Sequence, residues 1–287
     1  MSKRTAWPIA AAVATLLLCN SAWAGMFGTG VGEIPLPHPS APQTLKLSNP
    51  KARATIDVSD IWWNPNESGW GMQLVQNDDF VFATLFVYGP DGKPTWLTAE
   101  MNNVGGLTWT GPLYATTGPW FGAAPFDPTQ VGVRQAGSMT FHLTDIADGN
   151  LTYTVDGVTV SKEVTRETLV DEDISGSYNF AITQTQTCIP SLPSGTFSTS
   201  SSLNISQSGA SVVGQTSSAS GACTFLGTYA QFGKLGSVDG TYSCTSGEAG
   251  TFQIYEIVVT ETGLLARFSE QSNYCSSISG QEAGIRQ

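Results

Sequence analysis

From Ala54 onward the chain alternates apolar and polar residues in strand-length runs, and residues suited to tight turns separate one run from the next. No stretch carries a convincing helical period, so the apolar side chains can be buried together only by strands. Candidate strands fall near 54–63, 69–76, 80–88, 94–102, 106–115, 138–144, 150–156 and 158–166. Between them Asn77-Asp78-Asp79, Pro90-Asp91-Gly92, Asn103-Val104-Gly105-Gly106 and Asp156-Gly157 supply the residue types of hairpin turns, so neighbours pair antiparallel. The link from Gly118 to Gln130, with Pro119, Pro125 and Pro128, is the main interruption. About eight strands in this order suit a small up-and-down barrel or a strongly curled sheet, which removes or shortens exposed edges.

A second unit begins near Ile174, after Asp171-Glu172-Asp173, and its composition differs: it lacks tryptophan, is rich in serine, and holds Cys188, Cys223, Cys244 and Cys275. Glycine, serine or threonine, then an aromatic recurs in it at Gly176-Ser177-Tyr178, Gly195-Thr196-Phe197, Gly227-Thr228-Tyr229, Gly240-Thr241-Tyr242 and Gly250-Thr251-Phe252. The spacing is too irregular for a solenoid but suits strands that enter a meander after a glycine turn. The expected fold is therefore all-β, with two antiparallel meander domains at 52–170 and 174–287, the second stapled by disulfides. Three pairings of the four cysteines are open.

The first 24 residues have the basic, apolar, small-residue order of a cleavable signal peptide: Lys3 and Arg4, a run from Ile9 to Leu18, then Ala22-Trp23-Ala24. Residues 25–51, rich in glycine and proline, read as a flexible leader. Export to the periplasm or the exterior, with cleavage near Ala24, is the expectation, and it agrees with the even number of cysteines, four of the five, that lie beyond that point. Without Lys3 and Arg4 the basic residues fall from 12 to 10 against 23 acidic ones, and the net charge moves from −11 to −13. That balance disfavours nucleic acid and anionic lipid as partners. No later segment is apolar for long enough to span a bilayer as a helix.

The most distinctive segment is Asp60-Ile61-Trp62-Trp63-Asn64-Pro65-Asn66-Glu67-Ser68-Gly69-Trp70-Gly71, which reads as a hairpin with large aromatics around its base. With Phe82–Tyr88, Gly92–Leu97, Tyr153–Val158 and Thr165-Arg166 it resembles a family of secreted proteobacterial proteins of uncharacterised function, over roughly residues 55 to 170. The resemblance implies a bacterial envelope protein and carries no catalytic residue, substrate or cofactor.

All six tryptophans beyond residue 24 lie between Trp62 and Trp120. They either fill a barrel or line a ligand site. The favoured expectation is a non-enzymatic binding module that holds a glycan or small apolar ligand around Trp62, Trp70, Trp96 and Trp109, with Glu67 and Glu100 as polar contacts. Strand parity puts Trp96, Thr98 and Glu100 on one face and Leu97, Ala99 and Met101 on the other. The run Phe80–Tyr88 is apolar on both faces, which motivates a second expectation, a structural or adhesive envelope protein acting through protein contacts or self-association. A third is a carbohydrate-active hydrolase using Glu67 and Glu100, since such chemistry needs two carboxylates. Asp127 reads as a turn residue and His142 as an exposed structural histidine. No Cys/His spacing suggests a metal site, and no motif suggests a cofactor.

Overall fold

The structure is a computed structural model that describes residues 56–218 and 221–287. The expected signal peptide and leader lie outside the described residues. The alternating pattern closes into two barrels of eight antiparallel strands each, connected in sequence order. The first comprises β1 (Asp60–Trp63), β2 (Gly71–Asn77), β3 (Phe80–Tyr88), β4 (Pro94–Gly105), β5 (Thr108–Thr117), β6 (Gly132–Leu143), β7 (Asp148–Val155) and β8 (Val158–Arg166). The second comprises β9 (Gly176–Cys188), β10 (Gly195–Ser208), β11 (Ser211–Ser218), β12 (Gly221–Phe232), β13 (Leu235–Cys244), β14 (Ala249–Thr260), β15 (Gly263–Ser272) and β16 (Cys275–Arg286). Strand β6 begins six residues before the run read from the sequence, because Gly132–Gln135 pair with Tyr114–Thr117 beyond a register shift at Leu113/Tyr114. The link between β5 and β6 holds a single 3-10 turn, Pro128–Gln130, capped by Asp127, whose carboxylate accepts from Thr129 N at 3.0 Å.

Large side chains pack the interior of the first barrel. Trp62, Trp109, Phe141, Met72, Met101 and Met139 are fully buried, as are Val81, Ala83 and Leu85 of β3, Ala99 of β4 and Leu151 of β7. Trp62 meets Phe141 edge to face at 4.9 Å between centroids, a preferred geometry for aromatic pairs.

Both barrels close with the same device. In the first, Arg166 on β8 stands opposite Trp62 on β1. Its guanidinium lies 4.6 Å from the indole ring, bonds to Asp60 Oδ2 at 3.0 Å, and donates to the carbonyls of Ile146 and Asp57. The Trp62 indole N–H donates to the carbonyl of Val58, four residues upstream, at 3.0 Å. In the second, Arg286 on β16 stands opposite Tyr178 on β9. It lies 5.4 Å from the phenol ring and donates to the hydroxyl at 2.8 Å, while that hydroxyl donates to the carbonyl of Ile174, again four residues upstream. Val58 and Ile174 are both buried.

The β12–β13 turn of the second barrel sits on this closure of the first. Lys234 N donates to Asp60 Oδ2 at 2.9 Å, and its ammonium pairs with Asp57 at 2.6 Å. Gly233 has φ +58, and a Cβ there would run into the Asp60 carboxylate. A residue with positive φ and no room for a side chain must be glycine.

Two pairs of residues join β1 to β8, against eleven between β16 and β9. The first barrel therefore depends more on its arginine. Arg166→Ala removes the ion-pair partner of the largely enclosed Asp60 carboxylate, which keeps only backbone donors, and is expected to cost about 3–5 kcal/mol. Arg286→Ala removes a cation–π contact and a hydrogen bond, and is expected to cost about 1–2 kcal/mol. Urea unfolding followed by tryptophan fluorescence reports the first barrel, and the methyl NMR signals of Ile182, Leu203 and Leu264 report the second. Equal losses would contradict this account of closure.

Candidate functional site

The structure divides the four tryptophans read as a ligand site. Trp62 and Trp109 have no exposed surface, so they are core and cannot stack on a ligand from outside. The Trp109 indole nitrogen is buried without a hydrogen-bond partner. Trp70 is half-buried, packs against the core, and donates to Glu67 Oε2 at 3.0 Å. Trp96 is 54% exposed on the outer surface. The parity read from the sequence holds, with Leu97, Ala99 and Met101 inward and Trp96 and Glu100 outward.

Glu67 and Glu100 have separate surroundings. Glu67 lies in the β1–β2 turn and accepts from Lys162 Nζ at 2.7 and 2.8 Å, a contact that holds its carboxyl below its ordinary range. A carboxyl depressed in this way is a poor proton donor. Glu100 stands on the outer wall opposite Phe82. His142 bonds through Nδ1 to the Thr108 hydroxyl at 2.8 Å on the exposed surface. One face of β3 is core; on the other, Phe82, Phe86 and Tyr88 are exposed beside Trp96.

A cavity lies inside the second barrel, away from every residue expected from the sequence to bind a ligand. Its volume is about 250 Å³. Four phenylalanines, Phe180, Phe225, Phe252 and Phe268, line it with isoleucine, leucine and valine side chains from most of the strands. Glycines at inward positions create the space: a Cβ on Gly284 would enter the ring of Phe180, and one on Gly240 would press the ring of Phe252 and the Leu226 carbonyl. Each ring lies over a neighbouring strand's glycine, so the rings lie along the wall and the centre is left empty. The first barrel has tryptophan and methionine where the second has this arrangement.

Two acids share the cavity. Glu270 continues the inward row Leu264, Ala266, Phe268 of β15, and Glu282 lies between inward Gly280 and Gly284 of β16, opposite Ala266 and Ile182. Each residue keeps some accessible surface and also borders a shallower depression of the outer wall, but protein atoms enclose the carboxyl almost completely. Enclosure governs ionisation, because it removes the water that stabilises the charge. Burial, with repulsion from Glu248, pushes the Glu270 carboxyl up to about 7; burial, with repulsion from Glu270, does the same to Glu282. Among the described residues neither carboxyl has a hydrogen-bond or ion-pair partner, and no lysine or arginine lines the cavity.

Both disulfides, Cys188–Cys275 and Cys223–Cys244, join adjacent strands at one end of this barrel. This resolves the three pairings left open by the sequence. Gln184, Thr216 and Glu270 lie toward the stapled end, while Ile174, Ile257 and Leu264 close the opposite one. Among the described residues no three His, Cys, Asp or Glu side chains come together as a metal site.

The row at 264–270 was readable as three apolar residues and an acid on one strand face. Nothing in the sequence said which face pointed inward, so the acid could not be placed in a cavity. No protein-family model matches the chain, and no characterised protein matches it in sequence. The resemblance therefore rests on Asp60–Gly71 and the shorter segments that accompany it between Phe82 and Arg166.

An acid whose folded pKa is raised keeps a proton that the unfolded chain has already released. Its stabilising contribution is present in full below about 4.5 and is lost as pH rises through about 7. The second barrel is thus expected to melt at a lower temperature at pH 8 than at pH 5. In the Glu270→Gln/Glu282→Gln variant this difference should shrink and the melting point at the higher pH should rise. An unchanged pH dependence in the variant would mean that other groups carry it.

Proposed function

We propose that the protein is an exported, non-enzymatic binding protein whose ligand site is the interior of the second barrel. The cavity of about 250 Å³, apolar on its walls and holding two unpaired acids, is the observation that carries this reading. An eight-stranded barrel is wide enough either to be filled by its side chains or to hold one small ligand, and this chain has one filled barrel and one with a cavity. The basic, apolar, small-residue order of the first 24 residues and the two disulfides support export. A well-formed apolar pocket with a few polar groups is the usual form of a small-molecule site.

A second reading assigns protein contacts to the first barrel. Phe82, Phe86, Tyr88 and Trp96 form an aromatic outer face on β3 and β4, which suits a structural or adhesive role. The two readings are compatible, since they use different barrels.

Methyl NMR of the intact protein, titrated with toluene and with indole, tests the first reading. Saturable shifts are expected at Ile182, Leu203, Ile254 and Leu264, with Leu74 and Leu97 of the first barrel silent. Ile254→Phe, which fills the cavity, is expected to abolish the shifts while both barrels stay folded. Shifts confined to the outer face around Trp96, or none, would remove the cavity from the function.

A further inference from the structure

The cavity's size limits what it can hold. At ~30 Å³ per water, 250 Å³ corresponds to about eight waters, and it falls just below the roughly 300–1,000 Å³ of drug-sized pockets. A single ring with a short chain suits that volume; a long acyl chain does not.

The lining then limits the charge. Its two ionisable residues are both acids, on adjacent strands of one wall, with Glu282 set deeper than Glu270. Their backbone positions differ by four residues along β15 and β16, about 13 Å of strand rise. A neutral apolar ligand would leave both carboxyls without partners. An anion would add a third like charge to an enclosed space. A cation supplies the missing partner, and the faces of Phe180, Phe225, Phe252 and Phe268 also attract positive charge. The proton each carboxyl retains near neutral pH marks the same unmet need for a counter-charge.

We infer that the second barrel takes a small apolar amine, its ammonium group held on the Glu282–Glu270 wall and its hydrocarbon body among the four phenylalanine rings. The inference rests on the reading of this cavity as the binding site and adds the ligand's charge and class.

Calorimetric titration of the intact protein at about pH 8, where carboxyls of this kind are ionised, tests it with three probes of matched shape. Phenethylamine is the cation, phenethyl alcohol the neutral analogue and hydrocinnamate the anion. The amine is expected to bind roughly tenfold or more tighter than the alcohol, as a hydrogen bond to a charged group implies, and hydrocinnamate weakest. In the Glu270→Gln/Glu282→Gln variant the amine should fall to the affinity of the alcohol, whose own affinity is unchanged. That variant removes unpaired buried acids, so it is expected to fold at least as well as the parent. Equal binding of amine and alcohol by the parent overturns the amine inference and leaves the cavity reading standing. An amine preference that survives in the variant overturns the role given to the two glutamates. If no probe binds, the inference falls together with the cavity reading.

Discussion

An arginine on the last strand, laid against an aromatic ring on the first, is the contact on which both barrels depend. Each barrel must join its first strand to its eighth, and the side-chain clasp secures that seam at the end where the chain enters. The need is greater in the first barrel, where β1 is four residues long and meets β8 through two residue pairs. There the clasp is a buried ion pair with further bonds to two carbonyls. In the second, eleven residue pairs already hold the seam, and the clasp is a phenol and a guanidinium. Asp60 serves both the clasp of the first barrel and the turn of the second, so one carboxylate links closure to the contact between barrels.

Shared closure leaves the interiors free to differ. The first barrel fills its centre with two tryptophans, three methionines and a phenylalanine, all without exposed surface. The second uses phenylalanines that lie along the wall over inward glycines, and a cavity remains. Filling gains burial and dispersion energy, about 1.5–3 kcal/mol for each large side chain. A hollow barrel forgoes part of that gain, and two buried acids reduce it further. Two disulfides across the stapled end offset the loss by restricting the unfolded chain. Space and unpaired acids kept at a cost in stability are what the proposed ligand site would account for.

Much of the architecture was legible in the sequence, because a period of two between glycine- and aspartate-rich turns leaves few alternatives to a meander. The parity of β4 follows from the same period and holds, whereas β3, apolar on both faces, has one face in the core and the other exposed. The interior of each barrel was not legible. Parity separates two faces of a strand without saying which one is core, so Trp62 and Trp109, which are filler, looked like Trp96, which is on the surface. Glu270 and Glu282 escaped notice for the converse reason. An acid in an alternating strand reads as solvated, and only closure of the barrel turns that face inward.

The central claim is that one barrel is filled and the other hollow. Diffraction from crystals of the intact protein under xenon pressure tests it most directly, since xenon enters apolar cavities without needing specific contacts. The account predicts xenon inside the second barrel, beside Phe252 and Ile254, and none inside the first. A second barrel that takes up no xenon, or equal occupancy in both, would contradict it.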